Sequence, residues 1–130
     1  MSDNEDAKAK AERQLREQVA ALGVKFLQRT QDQVTSLREL LACLSKGDES
    51  VLERMQELSH KIHGSGAMFG FEEVSRLAGE IEQLCYDRRQ AGAAAAAAQG
   101  TADLVQRLHY GIEELARATQ SAQQSQAART

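Results

Sequence analysis

The chain has 130 residues, 42% of them hydrophobic, 4% aromatic and none proline, which allows one modest core and favours helices over strands joined by tight turns. A formal net charge of -3 and a pI near 5.6 argue against a nucleic-acid binder, whose affinity rests on clustered Lys and Arg. No apolar run approaches the roughly 20 residues that span a bilayer, and the opening MSDNEDAKAKAERQLREQ has neither the basic nor the apolar region of a signal peptide, so a cytoplasmic protein with no membrane contact is expected.

Residues 1–8 are acidic and polar, and 120–130, QSAQQSQAART, offer no clear apolar face. The expectation is a flexible N-terminus, a helical bundle over 9–119 and a flexible C-terminal tail. Leu15, Val19, Leu22 and Phe26 step by four, three and four, and Val34, Leu37, Leu41 and Leu44 continue the rhythm. This predicts a helix, with a break placed near Gly23 and the N-terminal segment packing as a cap. Cys43 lies in LLACLS and Cys85 in IEQLCYD. With no CxxC and no companion motif, both are expected as reduced packing residues.

In SKGDES, Gly47 can end the first helix, and Asp48 or Ser50 can cap the next. Val51, Met55, Leu58 and Ile62 then form one stripe, which Ser65 or Gly66 and Phe69 extend to a break near Gly70. Phe71, Val74, Leu77, Ala78, Ile81 and Leu84 make a third helix ending about Arg89, with Glu72 and Glu73 at its positive end. AGAAAAAAQG, 91–100, is read as a connector with a partly helical start. Leu104, Leu108, Ile112 and Leu115 give the last helix, with Thr101 as cap and Asp103 nearby. The fold class is therefore all-α: an antiparallel four-helix bundle with an additional N-terminal helical segment.

The stretch LSHKIHGSGAMFGF, 58–71, departs from this plain pattern. At about 100° per residue, His60 lies about 170° from the centre of the Val51, Met55, Leu58, Ile62 stripe, with Glu53, Gln56, Gly64 and Ala67 within about 40° of it. His60 should face water, where a neutral imidazole is a free nucleophile. Gly64, one turn on, costs about 0.8–1 kcal/mol relative to alanine in a helix interior, and clearing room for a partner is one reason to keep it. Tight helix packing is the other reason open to Gly64 and Gly66.

The run His60-Lys61-Ile62-His63-Gly64-Ser65-Gly66, followed by AMFGF and the amphipathic EEVSRLAGEIEQL, resembles the histidine-containing phosphotransfer (HPt) family, including the phosphotransfer domains of chemotaxis histidine kinases. The similarity in pattern covers about residues 15–118, and its specific part is His60 to Phe71. It implies a phosphoryl carrier in a two-component phosphorelay; the sequence leaves the oligomeric state open, with a monomer preferred. His60 would accept a phosphoryl group and exchange it with the aspartate of a response-regulator receiver domain, supplied by a sensor or hybrid histidine kinase. No cofactor of its own is implied, since Mg²⁺ would belong to the partner receiver, and no G-x-x-x-x-G-K-[ST] marks an ATP site.

One departure stands out. The family commonly has lysine where this chain has His63, about 60° round the helix from His60, which would serve as a part-time stabiliser of the phosphoryl group. The docking face is assigned to Glu53, Gln56, Lys61, Gly64, Ala67 and Met68. Two other readings compete with phosphotransfer. One is a non-catalytic helical adaptor that binds receiver or kinase domains without being phosphorylated. The other is a transition-metal site on His60, His63 and His109, which leaves the glycines unexplained and lacks a repeated carboxylate pair, so no metal is assigned.

Overall fold

A computed structural model of the chain describes residues 3–128 as four helices: α1 (Asp3–Ser45), α2 (Val51–Met68), α3 (Glu72–Gln99) and α4 (Thr101–Ala128). Each packs on its neighbour in sequence, and α4 returns to α1, closing a ring of four. The pairing is antiparallel. On α1 and α4, Arg38 meets Glu113 while the earlier Gln31 meets the later Gln123; on α2 and α3, His63 meets Ser75 while His60 meets Glu82.

The core is built from the apolar stripes. Val34, Leu37 and Leu44 of α1, Met55, Leu58 and Ile62 of α2, Val74, Leu77, Ala78 and Ile81 of α3, and Leu108, Ile112 and Leu115 of α4 are buried together. Side chains recurring every three or four residues share one helix face, and removing that face from water is the main favourable contribution to folding. Phe26 caps one end of the core, with Phe69 and Phe71 at centroid distances of 5.6 and 5.8 Å. Thr30, Ser59 and Thr119 are buried inside helices, and each donates its hydroxyl to the carbonyl four residues back, so no donor is left without a partner.

The turns follow the chemistry of their residues. Gly47 adopts a positive φ of 100° after α1. Asp48 Oδ1 accepts from the Ser50 amide at 3.1 Å and from its hydroxyl. Ser50 itself makes no side-chain cap bond, so the cap expected of it is absent. At the end of α2, Phe71 N donates to Gly66 O at 2.8 Å and Gly70 N to Ala67 O at 3.2 Å. This paired closure needs a left-handed residue, supplied by Gly70 at φ 80°.

Several sequence expectations are corrected. α1 runs through Gly23 without a break, because the Phe71 ring lies 3.4 Å from where a Cβ would stand and buries that position in packed helix. Every residue from Asp3 to Leu22 is exposed. The additional N-terminal segment is thus an uninterrupted extension of α1 and does not fold over the bundle as a cap. Leu15, Val19 and Leu22 stay 46–61% exposed, since no other helix reaches that far. Residues 3–8 are helical, as are 120–128, where Ala122 packs against the core and Gln31 Nε2 donates to Gln123 Oε1 at 2.6 Å; residues 1–2 and 129–130 lie outside the described residues.

The Ala-rich stretch is also different. α3 continues through it to Gln99, with one kink at Gly92 (φ 76°, ψ -178°), as alanine's helix propensity allows. Thr101 Oγ1 accepts a bond from Arg88 Nη2 at 3.2 Å in the place where a cap was expected. Arg88 is buried and also donates to Glu49 Oε1 at 3.0 Å, so its charge ties the start of α2 to the α3–α4 junction. Cys43 is exposed, whereas Cys85 is buried and its thiol is pushed up to about 12 by that burial.

Gly66 and Gly64 separate cleanly. A Cβ on Gly66 would stand 3.2 Å from the Cα and N of Ser75, whereas one on Gly64 would meet nothing within 4 Å. Gly66→Ala should therefore lower the unfolding midpoint, because forcing α2 from the α3 backbone costs about 1–3 kcal/mol and outweighs the gain in helix propensity. Gly64→Ala, with nothing to displace, should raise it through a stability gain of up to about 1 kcal/mol. Thermal unfolding of the two variants checks the pair, and a shift of the same sign in both would contradict the packing described.

Candidate functional site

α2 presents its outward face between the α1 and α3 sides of the bundle, and His60 stands at the middle of it. Its side chain is 72% exposed. The ring is nevertheless fixed: Nδ1 lies 3.0 and 3.1 Å from the two carboxylate oxygens of Glu82 on α3. A carboxylate only accepts, so Nδ1 carries the hydrogen and donates it, and in the neutral ring the lone pair sits on Nε2. Glu82 is the less exposed partner, at 25%, so the bundle holds the carboxylate and the carboxylate aims the imidazole.

Around His60 the sequence assignments fall on one surface. Glu53, Lys61, Gly64, Ala67 and Met68 are all exposed, and the space over Gly64 is open. Gln56 is half-buried and accepts from Arg89 Nη1 of α3 at 2.7 Å, which places it on the α3 flank. Lys61 and Met68 lie about 80–100° round the helix from His60 on the opposite flank. Met68 is 74% exposed.

His63 is held differently from His60. Its Nδ1 lies 2.7 Å from the backbone carbonyl of Ser75, while the Ser75 hydroxyl donates to the His63 carbonyl at 2.7 Å. The ring lies over Gly79, where a Cβ would stand 2.9 Å from Nδ1. The Nδ1 hydrogen is therefore spent on α3. Only as an imidazolium, with a second N–H at Nε2, has His63 a donor left for a neighbouring anion.

The sequence did not single out Glu82, Ser75, Gly79 or Arg89. A signal for Glu82 existed: folding the chain back about Phe71 places position 82 as far after the turn as His60 lies before it. The same folding sets Gly79 opposite His63, but the closeness of that contact, and the bonds to Ser75, depend on the approach of α2 and α3 at Gly66, which spacing alone does not give.

A groove of about 550 Å³ between α3 and α4, lined by Leu84, Arg107, Tyr110 and others, contains none of these residues. The site is an exposed side chain on the outer face of α2, which suits reaction with a group carried by another macromolecule more than capture of a small molecule in a cavity. His109 does not join the pair. Among the described residues no three or more His, Cys, Asp or Glu side chains come together to hold a metal ion, and no helix is long and apolar enough to cross a membrane.

A family model described as Hpt domain matches residues 21–118, which takes in the whole of α2, the part of α1 that packs in the bundle, and the site. No curated protein and no solved structure matches the chain.

Proposed function

The chain belongs to the Hpt domain family and is a phosphotransfer module of two-component signalling; from that premise we propose that His60 is the phosphoacceptor, exchanging its phosphoryl group with the aspartate of a receiver domain. One observation carries the assignment. His60 is exposed with its Nδ1 hydrogen held by Glu82, which leaves Nε2 as the nucleophilic atom, facing away from the bundle.

In the transfer step the Nε2 lone pair forms the N–P bond, and the electron pair of the breaking P–O bond leaves with the donor's carboxylate. The ring gains positive charge as it attacks, and the Glu82 carboxylate beside Nδ1 stabilises it. Return of the group to a receiver aspartate reverses these movements. A magnesium ion assisting the transfer would be held by the receiver, where it would stabilise charge on the phosphoryl oxygens. The chain thus acts as a carrier and co-substrate for receivers and for a sensor or hybrid kinase, working as a cytoplasmic monomer.

Glu53, Gln56, Lys61, Gly64, Ala67 and Met68 would form the contact face. Gly64 lets the receiver backbone approach the ring, and His63, when protonated, can donate its Nε2 hydrogen to a phosphoryl oxygen. The lysine usual at that position would do so permanently, so the stabilisation offered by His63 varies with its charge. The adaptor reading keeps the same face without the reaction.

Incubation with a phosphorylated receiver domain separates the two. Acid-labile, alkali-stable label on the wild-type chain supports transfer, whereas absence of label across several competent receivers supports the adaptor. Glu82 gives a graded check. Glu82→Gln keeps an acceptor for Nδ1 but removes the charge, and Glu82→Ala removes both. Transfer rates are expected to fall in the order wild type, Gln, Ala, with the alanine variant slower by about 10–100-fold, as for other residues that orient a reacting imidazole. Equal rates in all three would remove Glu82 from the reaction.

A further inference from the structure

We infer that His63 is a second phosphorylatable imidazole, reacting through Nε2 with small activated phosphoryl donors. It goes beyond the receiver exchange proposed for His60 and does not depend on it. The inference follows from the hydrogen-bond arithmetic at Ser75. The Ser75 hydroxyl has one hydrogen, and it is directed to the His63 carbonyl at 2.7 Å. The Ser75 carbonyl, 2.7 Å from His63 Nδ1, can only accept. Nδ1 must therefore be the donor, and the neutral ring is fixed with its lone pair on Nε2. That is the tautomer which Glu82 imposes on His60.

The remaining geometry supports reactivity. Nδ1, Cε1 and Cγ are the ring atoms nearest Gly79, so in this exposed residue the edge left to face solvent is the one with Nε2 and Cδ2. Among the described residues Nε2 has no hydrogen-bond partner. The bare Gly64 beside it adds no side chain to shield it. The difference from His60 lies in the partner of Nδ1: a neutral carbonyl stabilises the positive charge of the reacting ring less than a carboxylate does. His63 should thus react more slowly than His60 but faster than a histidine whose tautomer nothing fixes. In the step, Nε2 forms the N–P bond. With phosphoramidate as donor its P–N bond breaks, the electron pair leaves with ammonia, and the ring keeps its Nδ1 hydrogen on Ser75.

The test uses the full chain carrying His60→Gln, incubated with potassium phosphoramidate. Site occupancy is read by mass spectrometry under alkaline conditions, and the ring isomer by ¹H–¹⁵N NMR. His109, exposed on α4 near the Glu113 carboxylate and with no hydrogen bond to its ring among the described residues, is the internal reference. The expected result is phosphate on His63 at Nε2 only, appearing about two-fold or more faster than at Nε2 of His109, because every neutral His63 ring presents that nitrogen whereas a ring sharing its hydrogen between two positions does so only part of the time.

Adding Gly79→Ala to that background places a Cβ against Nδ1 and should bring the His63 rate down to that of His109. Circular dichroism establishes that this variant is folded, and the comparison of His63 with His109 decides the question without it. Equal rates at the two residues, phosphate on Nδ1 of His63, or no phosphate on His63 at all would overturn the inference. Failure of a receiver to label the wild-type chain bears on the His60 proposal instead, so the two can fail separately.

Discussion

In the His60→Gln variant, exchange of phosphoryl groups with a receiver domain is expected to fall by about 10³-fold or more, to the limit of detection, as when a covalent nucleophile is removed from a reacting unit. The reasoning separates chemistry from stability. At 72% exposure the side chain contributes little burial, and surface substitutions of this kind stay within about 0.5 kcal/mol. Glutamine keeps a polar side chain able to donate toward Glu82 but has no lone-pair nitrogen to attack phosphorus. The unfolding midpoint should therefore match the wild type while transfer is lost. Binding to the receiver, measured separately by calorimetry, should survive, because the rest of the face is intact. Loss of binding together with transfer would mean that His60 serves docking and would weaken its assignment as the nucleophile.

Gly64→Trp is expected to slow receiver exchange by about 10²-fold, equivalent to about 2.7 kcal/mol of lost association. A Cβ at this position meets nothing within 4 Å and the position is exposed, so the indole is expected to lie on the surface beside His60, one turn away, and to collide with a partner approaching that ring. The variant should keep its fold and keep Nε2 reactive toward phosphoramidate, while the receiver is held off. That combination distinguishes blocked access from a damaged site. Full-rate exchange in Gly64→Trp would show that the receiver approaches from another direction, and the assignment of Gly64 to the contact face would be wrong.

The parts legible in sequence were those written in local periodicity. The stripes Met55, Leu58, Ile62 and Leu108, Ile112, Leu115 are buried as their spacing implied, and the same wheel that buries Ile62 turns His60 outward. Gly70 was readable because only a left-handed residue closes the end of α2. Where local pattern and tertiary reach part company, the sequence misleads. Leu15, Val19 and Leu22 continue the rhythm of Phe26, yet they lie beyond the partners that bury it, and periodicity carries no information on where a neighbouring helix stops.

The site was legible to the same degree. His60 and its ring of neighbours came from one helix, so angles on that helix sufficed. Glu82, Ser75 and Gly79 come from α3, and their contacts depend on how closely the two helices approach. Gly66 sets that distance, since Ser75 backbone atoms stand where its Cβ would be. His63 shows the consequence: read on one helix it is a side chain flanking His60, but in the bundle its Nδ1 belongs to α3. Arg88 was equally hidden, because its partners Glu49, Gly100 and Thr101 lie 12 to 39 residues away in the chain.

The most direct test of the account is to load ¹⁵N-histidine-labelled wild-type chain from a phosphorylated receiver and locate the phosphorus by ¹H–¹⁵N and ³¹P NMR. The account predicts phosphorus on Nε2 of His60, with the Nδ1 hydrogen still bonded to Glu82. Phosphorus on Nδ1 of His60, or receiver-derived phosphate on any other side chain, would contradict it.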